Sequence, residues 1–217
     1  MPLTEMQHDS KTRLLDAALH VIRAKGYSAA RVEDICETAG LTKGSFFHHF
    51  SSKEDLALAA ADHFSAMADS LFSVAPYHGL SDPLDRFLGY IDFRKAILQG
   101  ELADYTCLLG TMVQEAYDTH PLIRKACDRC ISAHAGTLLP DIEAAVRKYG
   151  IRPGWTAESL AFYTQAVLQG SFILAKAQHG SEVAAACIDH LYRYVELLFH
   201  RRPSSERTQS QPHLQPA

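Results

Sequence analysis

The fold is decided by Val32-Glu-Asp-Ile-Cys-Glu-Thr-Ala-Gly40 and the adjoining Leu41-Thr-Lys-Gly-Ser-Phe-Phe-His-His-Phe50. Apolar residues recur every three or four positions in the first segment, which predicts a short helix. Gly40 suits the turn that follows, because glycine adopts a left-handed backbone at little cost. Thr42 is a good N-cap for a second helix over 43–50. The spacing therefore predicts a helix-turn-helix.

Further helices separated by turn residues are predicted on both sides of this motif. Residues 10–25 carry an amphipathic stripe that ends at Gly26, and an alanine-rich apolar pattern covers 55–74. Further helices are predicted over 83–99, 102–117, 121–149, 156–179 and 181–201. No segment alternates apolar and polar residues between turn signals, so the sequence predicts an all-α protein.

This pattern divides the chain into three parts. Residues 1–56 form the predicted helix-turn-helix domain, and residues 57–201 form a larger helical domain, for which the family resemblance given below implies effector binding and dimerisation. Residues 202–217 are polar and proline-rich. They carry too little apolar surface to offset the entropy of ordering, which predicts a disordered tail.

Composition restricts the class of protein more than it identifies a function. The chain has 47% hydrophobic residues and a formal net charge of −4, and residues 1–56 hold seven Lys/Arg against eight Asp/Glu. Charge therefore gives no support to nucleic-acid binding. No apolar run approaches the roughly 20 residues of a membrane span, and the start lacks a signal-peptide pattern. We expect a cytoplasmic protein whose five cysteines are reduced.

The helix predicted over 43–50 has one face for the core and one for a partner. Phe46 and Phe50 are spaced to anchor it, while Phe47 and the two histidines beside it cannot all face the same core. In a helix-turn-helix the N-terminal residues of the second helix enter the DNA major groove. The residues at that end combine hydrogen-bond donors, a cation, planar rings and a glycine that permits close approach: Thr42, Lys43, Gly44, Ser45, Phe47, His48 and His49.

These segments, with Ser51-Ser-Lys-Glu-Asp-Leu56 after them, resemble the TetR family of bacterial repressors. The resemblance covers about residues 10–60 and includes the spacing, the glycine, the aromatic residues and the Lys-Glu-x-Leu restart. It implies a homodimer that binds a palindromic double-stranded DNA operator and releases it when a small-molecule effector binds. We expect no enzymatic activity, cofactor, metal or membrane partner.

The resemblance also implies roles for individual residues. Expected base contacts come from Lys43, Gly44, Ser45, Phe47, His48 and, from the preceding helix, Glu33. Expected phosphate contacts come from Thr42, His49 and Lys53. The chain departs from the family at Ala30-Arg31, where hydroxyl residues are usual, and at Phe47, where tyrosine is usual. Arg31 would replace a hydroxyl–phosphate bond by a charged one, and Phe47 would pack on a thymine methyl.

Cys107 and Lys176 are the candidate regulatory pair. Cys107 lies on a predicted apolar helix, and Lys176 is a cation in an otherwise apolar helix. Both segments resemble those of a TetR subgroup in which a cysteine faces a lysine and responds to electrophiles or oxidants. A nearby ammonium favours the reactive thiolate. The alternative is a buried structural cysteine and a lysine that extends to solvent.

The larger domain holds further candidates. Aromatic and other large side chains would suit an apolar effector cavity: Tyr90, Phe93, Tyr105, Met112, Tyr117, Trp155, Phe162 and Phe172. The helices over 156–179 and 181–201 would form the dimer interface by resemblance, although their apolar residues would also suit an intrachain core. Cys127, Cys130 and His134 share a helical face, but zinc needs a fourth ligand, so packing is favoured over a metal site.

An enzyme and a helical interaction protein are the two alternatives to a repressor. An enzyme is disfavoured because the sequence has no nucleophile elbow, phosphate loop or Rossmann fingerprint. A helical interaction protein with a decayed DNA-binding surface remains the alternative. The polar residues Lys43, Ser45, His48 and Lys53 argue against it, and the missing hydroxyls and tyrosine argue for it.

Overall fold

A computed structural model describes residues 3–201, with side chains from residue 10 onward. This part of the chain is all-α and contains no strand, which confirms the predicted fold class. The eleven helices are α1 (Leu3–Lys25), α2 (Val32–Ala39), α3 (Lys43–His49), α4 (Lys53–Ser73), α5 (Pro83–Ala96), α6 (Leu102–Tyr105), α7 (Leu108–Ala116), α8 (Pro121–Gly136), α9 (Leu139–Tyr149), α10 (Ala157–Gln178) and α11 (Glu182–Leu198). The predicted disordered tail, 202–217, lies outside the described residues.

The first three helices pack around a small apolar core. Leu14 and Ile22 of α1, Ile35 of α2 and Phe46 of α3 are fully buried there. Gly40 ends α2 with φ +63°, the left-handed conformation that the turn requires. The predicted helix-turn-helix is therefore present, and α2 and α3 end within one residue of their predicted bounds.

This N-terminal core does not stop at residue 56. It continues through α7 and α8, where Leu108, Met112 and Cys127 are buried in the same cluster. Helix α4 crosses the predicted domain boundary, and its far end places Phe72 in a second apolar cluster formed by α5 and α8–α11. The helix-turn-helix and the larger helical domain thus share α4 and an apolar contact surface.

Two predicted helices are each broken in the structure. The prediction of one helix over 102–117 was wrong, because Thr106 and Cys107 have extended backbones with ψ 157° and 123° that separate α6 from α7. The prediction over 121–149 was also wrong, because α8 ends before Thr137 and α9 starts anew at Leu139. Pro140 explains this second break, since a proline ring clashes with the carbonyl four residues earlier.

Within residues 3–201, no helix is both long and apolar enough to cross a bilayer.

Candidate functional site

Helix α3 is held by a local cap and by two buried aromatic rings. The Thr42 hydroxyl accepts a hydrogen bond from the Ser45 backbone N–H at 3.2 Å. Phe46 and Phe50 are buried in the N-terminal core, as their spacing predicted. The Arg13 guanidinium of α1 also donates to the Ala39 carbonyl at 2.7 Å, which ties the turn to α1. The opposite face of α3 is thereby fixed in position.

That opposite face carries the predicted DNA-contacting residues. Thr42, Lys43, Gly44, Phe47 and His48 are exposed, and Ser45 is partly exposed. Phe47 leaves 59% of its surface in contact with solvent, and its ring forms a T-shaped contact with the buried Phe46 ring, with centroids 5.1 Å apart. It therefore lies on the same exposed face of this seven-residue helix as the predicted hydrogen-bond donors.

Glu33 of α2 and Lys43 of α3, both expected to contact bases, contact each other in the free protein. The Lys43 ammonium forms an ion pair with the Glu33 carboxylate, and this hydrogen bond lowers the pKa of Glu33. Arg31 is exposed and lies 3.5 Å from an Asp34 carboxylate oxygen. These cations therefore have protein partners in the free protein, which agrees with the absence of a net basic charge in this segment.

Lys53 and His49 have structural partners as well. The Lys53 ammonium donates to the carbonyls of Tyr27 and Ala30 at 3.0 and 3.1 Å and lies 4.5 Å from the Tyr27 ring centroid. It thus closes the turn between α1 and α2. The His49 ring is hydrogen-bonded to the Ser10 hydroxyl at 2.7 Å. The predicted phosphate contacts of these two residues remain predictions.

The sequence predicted Cys107 within a helix. In the structure it is instead the N-cap of α7. Its sulfur accepts a hydrogen bond from the Gly110 backbone N–H at 3.4 Å. The predicted Lys176 lies nearby but contacts a different atom: its ammonium donates to the Thr111 hydroxyl at 2.8 Å, and that hydroxyl donates to the Cys107 carbonyl at 3.0 Å. Burial lowers the pKa of Lys176, while the negative charges of Glu115 and Cys107 oppose that change.

Cys107 lines two cavities at once. One has a volume of about 460 Å³ and lies between α1, α4, α5, α8 and α10. The other, of about 190 Å³, is lined by Lys176, Thr111 and Gln169 on its far side. Cys107 therefore lies at the junction of a ligand-sized apolar cavity and a smaller one.

The predicted effector-cavity residues are divided by the structure. Tyr105 and Phe172 line the 460 Å³ cavity, whereas Tyr90 lines another cavity of about 400 Å³. The remaining five do not line the 460 Å³ cavity, which corrects the prediction: Met112 is buried in the N-terminal core, Phe93 packs on Phe72 and Tyr77, Trp155 packs on Phe199, and Tyr117 and Phe162 lie on the surface. Apolar spacing alone does not separate these environments.

Cys127, Cys130 and His134 are packing residues. Both thiols are buried, and burial raises the pKa of Cys127 to about 12. The His134 ring is hydrogen-bonded to the Tyr90 hydroxyl at 3.0 Å. Among the described residues, no three metal-ligating side chains lie close enough together to hold an ion.

Two long-range contacts that the sequence analysis missed join α6–α7 to the helix-turn-helix. The Arg23 guanidinium at the end of α1 donates to the carbonyls of Asp104 and Thr106 at 3.1 and 3.4 Å. The Glu115 carboxylate of α7 accepts from the Ser28 backbone N–H at 2.7 Å, in the turn before α2. Sequence separations above 80 residues leave no local pattern from which these contacts could be predicted.

Arg94 is a further residue of the site that was not predicted from the sequence. It lines the 460 Å³ cavity, and it follows the buried Tyr90 and Ile91 at helical spacing. A cation on the buried stripe of a helix was the available signal.

Comparison with known proteins places the chain in a family. The profile of the bacterial regulatory proteins of the tetR family matches residues 14–60, and that of the tetracyclin repressor-like C-terminal domain matches residues 83–191. The regulator AcuR of Cereibacter sphaeroides is 30% identical over 52% of this chain and 51% of its own length. The repressor NemR of Escherichia coli is 26% identical over 57% of this chain and 62% of its own length. The chain thus matches less than two thirds of either relative.

Solved structures share the fold over most of the chain. A TetR regulator from Chloroflexus aurantiacus has a TM-score of 0.77 and 25% identity, covering 88% of this chain and 96% of its own. The reduced form of Escherichia coli NemR has a TM-score of 0.72 and 21% identity, covering 85% and 95%. Since the C-terminal profile alone spans half of the sequence, the chain belongs to the TetR family of bacterial regulatory proteins, which are helix-turn-helix transcription regulators.

Proposed function

We propose that the protein is a homodimeric transcriptional repressor that binds a palindromic operator through α3 and releases it when Cys107 is modified or the adjoining cavity is filled. The observation that carries the DNA-binding part is the exposed face of α3, where Phe47 and the residues around Lys43 stand out from a rigidly anchored helix. An enzyme would need a reactive constellation, whereas this surface offers hydrogen-bond donors and planar rings suited to base edges.

Base contacts are assigned to Lys43, Gly44, Ser45, Phe47 and His48, with Glu33 from α2. On binding DNA, Lys43 would exchange the Glu33 carboxylate for guanine acceptors. Arg31 is assigned a phosphate contact, because its side chain is 74% exposed and carries a positive charge. Phosphate contacts are also assigned to Thr42, His49 and Lys53, and Lys53 in addition closes the turn between α1 and α2.

The dimer is assigned to the outer face of α10 and α11. Large apolar side chains are exposed there, and the Tyr163 and Tyr194 rings meet across the two helices with centroids 5.0 Å apart. The exposed set is Phe162, Tyr163, Ile173, Leu174, Tyr194 and Leu197. Several exposed apolar side chains on two adjoining helices favour a protein interface here. A symmetric pair would place two α3 helices on successive major grooves.

Release is assigned to the α6–α7 segment. Cys107 caps α7, helix N-termini favour negative charge, and the thiolate is the form that attacks electrophiles. An adduct on this sulfur would displace the Gly110 N–H and occupy one of the two adjoining cavities. The displacement would reach the helix-turn-helix through the contacts of Arg23 and Glu115.

The decisive experiment is a footprint of the full-length protein on the DNA that flanks its own coding region. It is run with and without N-ethylmaleimide, on the native protein, on Cys107→Ser and on Cys187→Ser. Cys187 is the matched control, because it is the other thiol that is not fully buried among the described residues. We expect a protected palindrome that the reagent releases from the native protein and from Cys187→Ser, but not from Cys107→Ser.

Each part of the proposal has its own failure. Protection that survives the reagent in all three proteins would leave the repressor and remove the cysteine switch. Absence of protection at low and moderate salt would instead favour an interaction protein with a decayed DNA-binding surface. Phe47→Ala should abolish the footprint without unfolding the protein, which ties the result to α3.

A further inference from the structure

The 460 Å³ cavity combines an apolar wall with an unusual cation. Its wall is largely aliphatic and aromatic, with Leu19, Phe64, Phe72, Leu98, Leu109 and Phe172 among the lining residues. Cavities of roughly 300–1,000 Å³ hold ligands of drug or metabolite size, and a few polar groups orient the ligand within them. Arg94 projects into this wall from the last turn of α5.

The Arg94 guanidinium is held in place but is not neutralised. It lies between two aromatic rings, 5.4 Å from the Phe72 centroid and 5.6 Å from the Phe172 centroid. Its Nε is buried and has no hydrogen-bond partner. Within the part of the chain whose side chains are described, no carboxylate forms an ion pair with it. A buried donor without an acceptor is costly, and native structures rarely leave one without a reason.

The second cation of the cavity shows the contrast. Arg23 donates to three backbone carbonyls, those of Leu19, Asp104 and Thr106, so its hydrogen bonds are satisfied within the protein. The Asp104 carboxylate accepts from the Glu101 N–H; burial lowers the pKa of Arg23, and the charge of Asp104 opposes that change. Asp69 is exposed at the rim. Arg94 differs from Arg23 because its buried Nε has no hydrogen-bond acceptor within the protein.

The neighbours of Arg94 do not supply the missing anion. His134 lines the same cavity, and burial together with the charge of Arg94 lowers its pKa to about 4, so it is neutral near pH 7. Gln165 donates to the Tyr90 hydroxyl at 3.0 Å, and Gln169 lines the side towards Cys107. These amides offer polar contacts without charge. None of these three neighbours brings a negative charge to the Arg94 guanidinium.

We infer that this cavity binds an organic carboxylate with an apolar, partly aromatic body, and that Arg94 receives the carboxylate. A guanidinium presents paired N–H donors that match a carboxylate, and this pairing is strong where water is excluded. The stacked rings of Phe72 and Phe172 hold the fork in one orientation and flank the apolar part of the ligand. The inference rests on the proposal that this cavity is the effector site of the repressor.

The test is calorimetric titration of the full-length protein, in the absence of DNA, with the ω-phenylalkanoates from phenylacetate to 6-phenylhexanoate and with the matching primary amides. Acid and amide share shape and apolar surface, so only the charge differs. We expect at least one acid to bind at least tenfold more tightly than its amide. Arg94→Gln should remove this preference, whereas the exposed control Arg124→Gln should keep it.

Three outcomes would overturn the inference: equal affinity for acid and amide, an acid preference that survives Arg94→Gln, or no binding of any acid at millimolar concentration. Thermal unfolding checks that the variants fold. If Arg94→Gln does not fold, Arg94→Lys keeps the charge without the planar fork and should bind the preferred acid several-fold more weakly than the native protein. Because no DNA is present, failure here leaves the footprint result untouched.

Discussion

The α2–α3 pair and the α6–α7 segment are both short helices joined by a tight turn, but they are stabilised differently. Helices α2–α3 combine local contacts, the Thr42 cap and the left-handed Gly40, with anchoring inside the N-terminal core through Phe46 and Arg13. Helices α6–α7 are held by residues much farther away in sequence, among them Arg23 of α1 and Lys176 of α10. The first arrangement keeps a surface in one shape. The second makes the shape depend on the positions of two other helices, one from each end of the chain.

This comparison is tested most severely at Phe46, the residue on which the α2–α3 arrangement depends. Phe46→Ala should destabilise the protein by about 3–5 kcal/mol, because it removes a fully buried ring from the N-terminal core. Its neighbour Phe47→Ala, a matched change at an exposed position, should cost no more than about 0.5 kcal/mol. Urea unfolding of both variants measures the difference. Equal losses would mean that α3 is not anchored as described.

The regulatory half should respond more strongly to acid than the helix-turn-helix. His134 has a pKa of about 4 in the folded protein against an ordinary value of 6.5. The unfolded chain therefore takes up a proton first, so the stability from this group is full above pH 6.5 and is lost as the pH falls towards 4. At about 1.4 kcal/mol per pKa unit, the loss approaches 3 kcal/mol.

His134→Gln removes that titration, so unfolding free energies of the variant should fall less between pH 7.5 and pH 4 than those of the native protein. His190→Gln, at an exposed position on α11, is the control and should follow the native curve. Parallel curves for native protein and His134→Gln would contradict the neutral, buried state of this histidine.

The dependence of α6–α7 on remote contacts is tested at Arg23. Arg23→Gln removes the charged donor from the Asp104 and Thr106 carbonyls and should cost about 1.5–3 kcal/mol, the usual range for a hydrogen bond to a charged group. Hydrogen exchange should quicken over residues 102–107, far from the substitution in sequence. Exchange that changes only within α1 would show that α6–α7 is stable on its own.

The smallest expected effect is at Thr42. Thr42→Ala removes the N-cap of α3 and should cost about 1 kcal/mol. Faster exchange should be confined to residues 43–50, in contrast to the distant effect of Arg23→Gln. Thr42→Ser keeps the capping oxygen and should exchange at the native rate. A response that spreads to α7 would remove the distinction between the two segments.

The same distinction explains what the sequence could predict. Caps, turn glycines and the spacing of Phe46 and Phe50 are local signals, so the bounds and the buried face of α3 were predicted correctly. The break at Cys107 is stabilised by Arg23, more than 80 residues away, and an apolar run such as 102–117 contains no sign of it. Lys176 lines the same small cavity as Cys107, but its hydrogen bond to Thr111 depends on the register of α7 against α10.

The turn between α1 and α2 restricts how this protein could be recombined with its relatives. Gly26 has φ +86°, and a Cβ added there would lie 2.2 Å from a Glu115 carboxylate oxygen, the same carboxylate that accepts from the Ser28 N–H. The helix-turn-helix domain of one regulator therefore cannot be exchanged for that of another as an independent unit. A chimera joined at residue 56 would need residues 26 and 115 to come from the same parent.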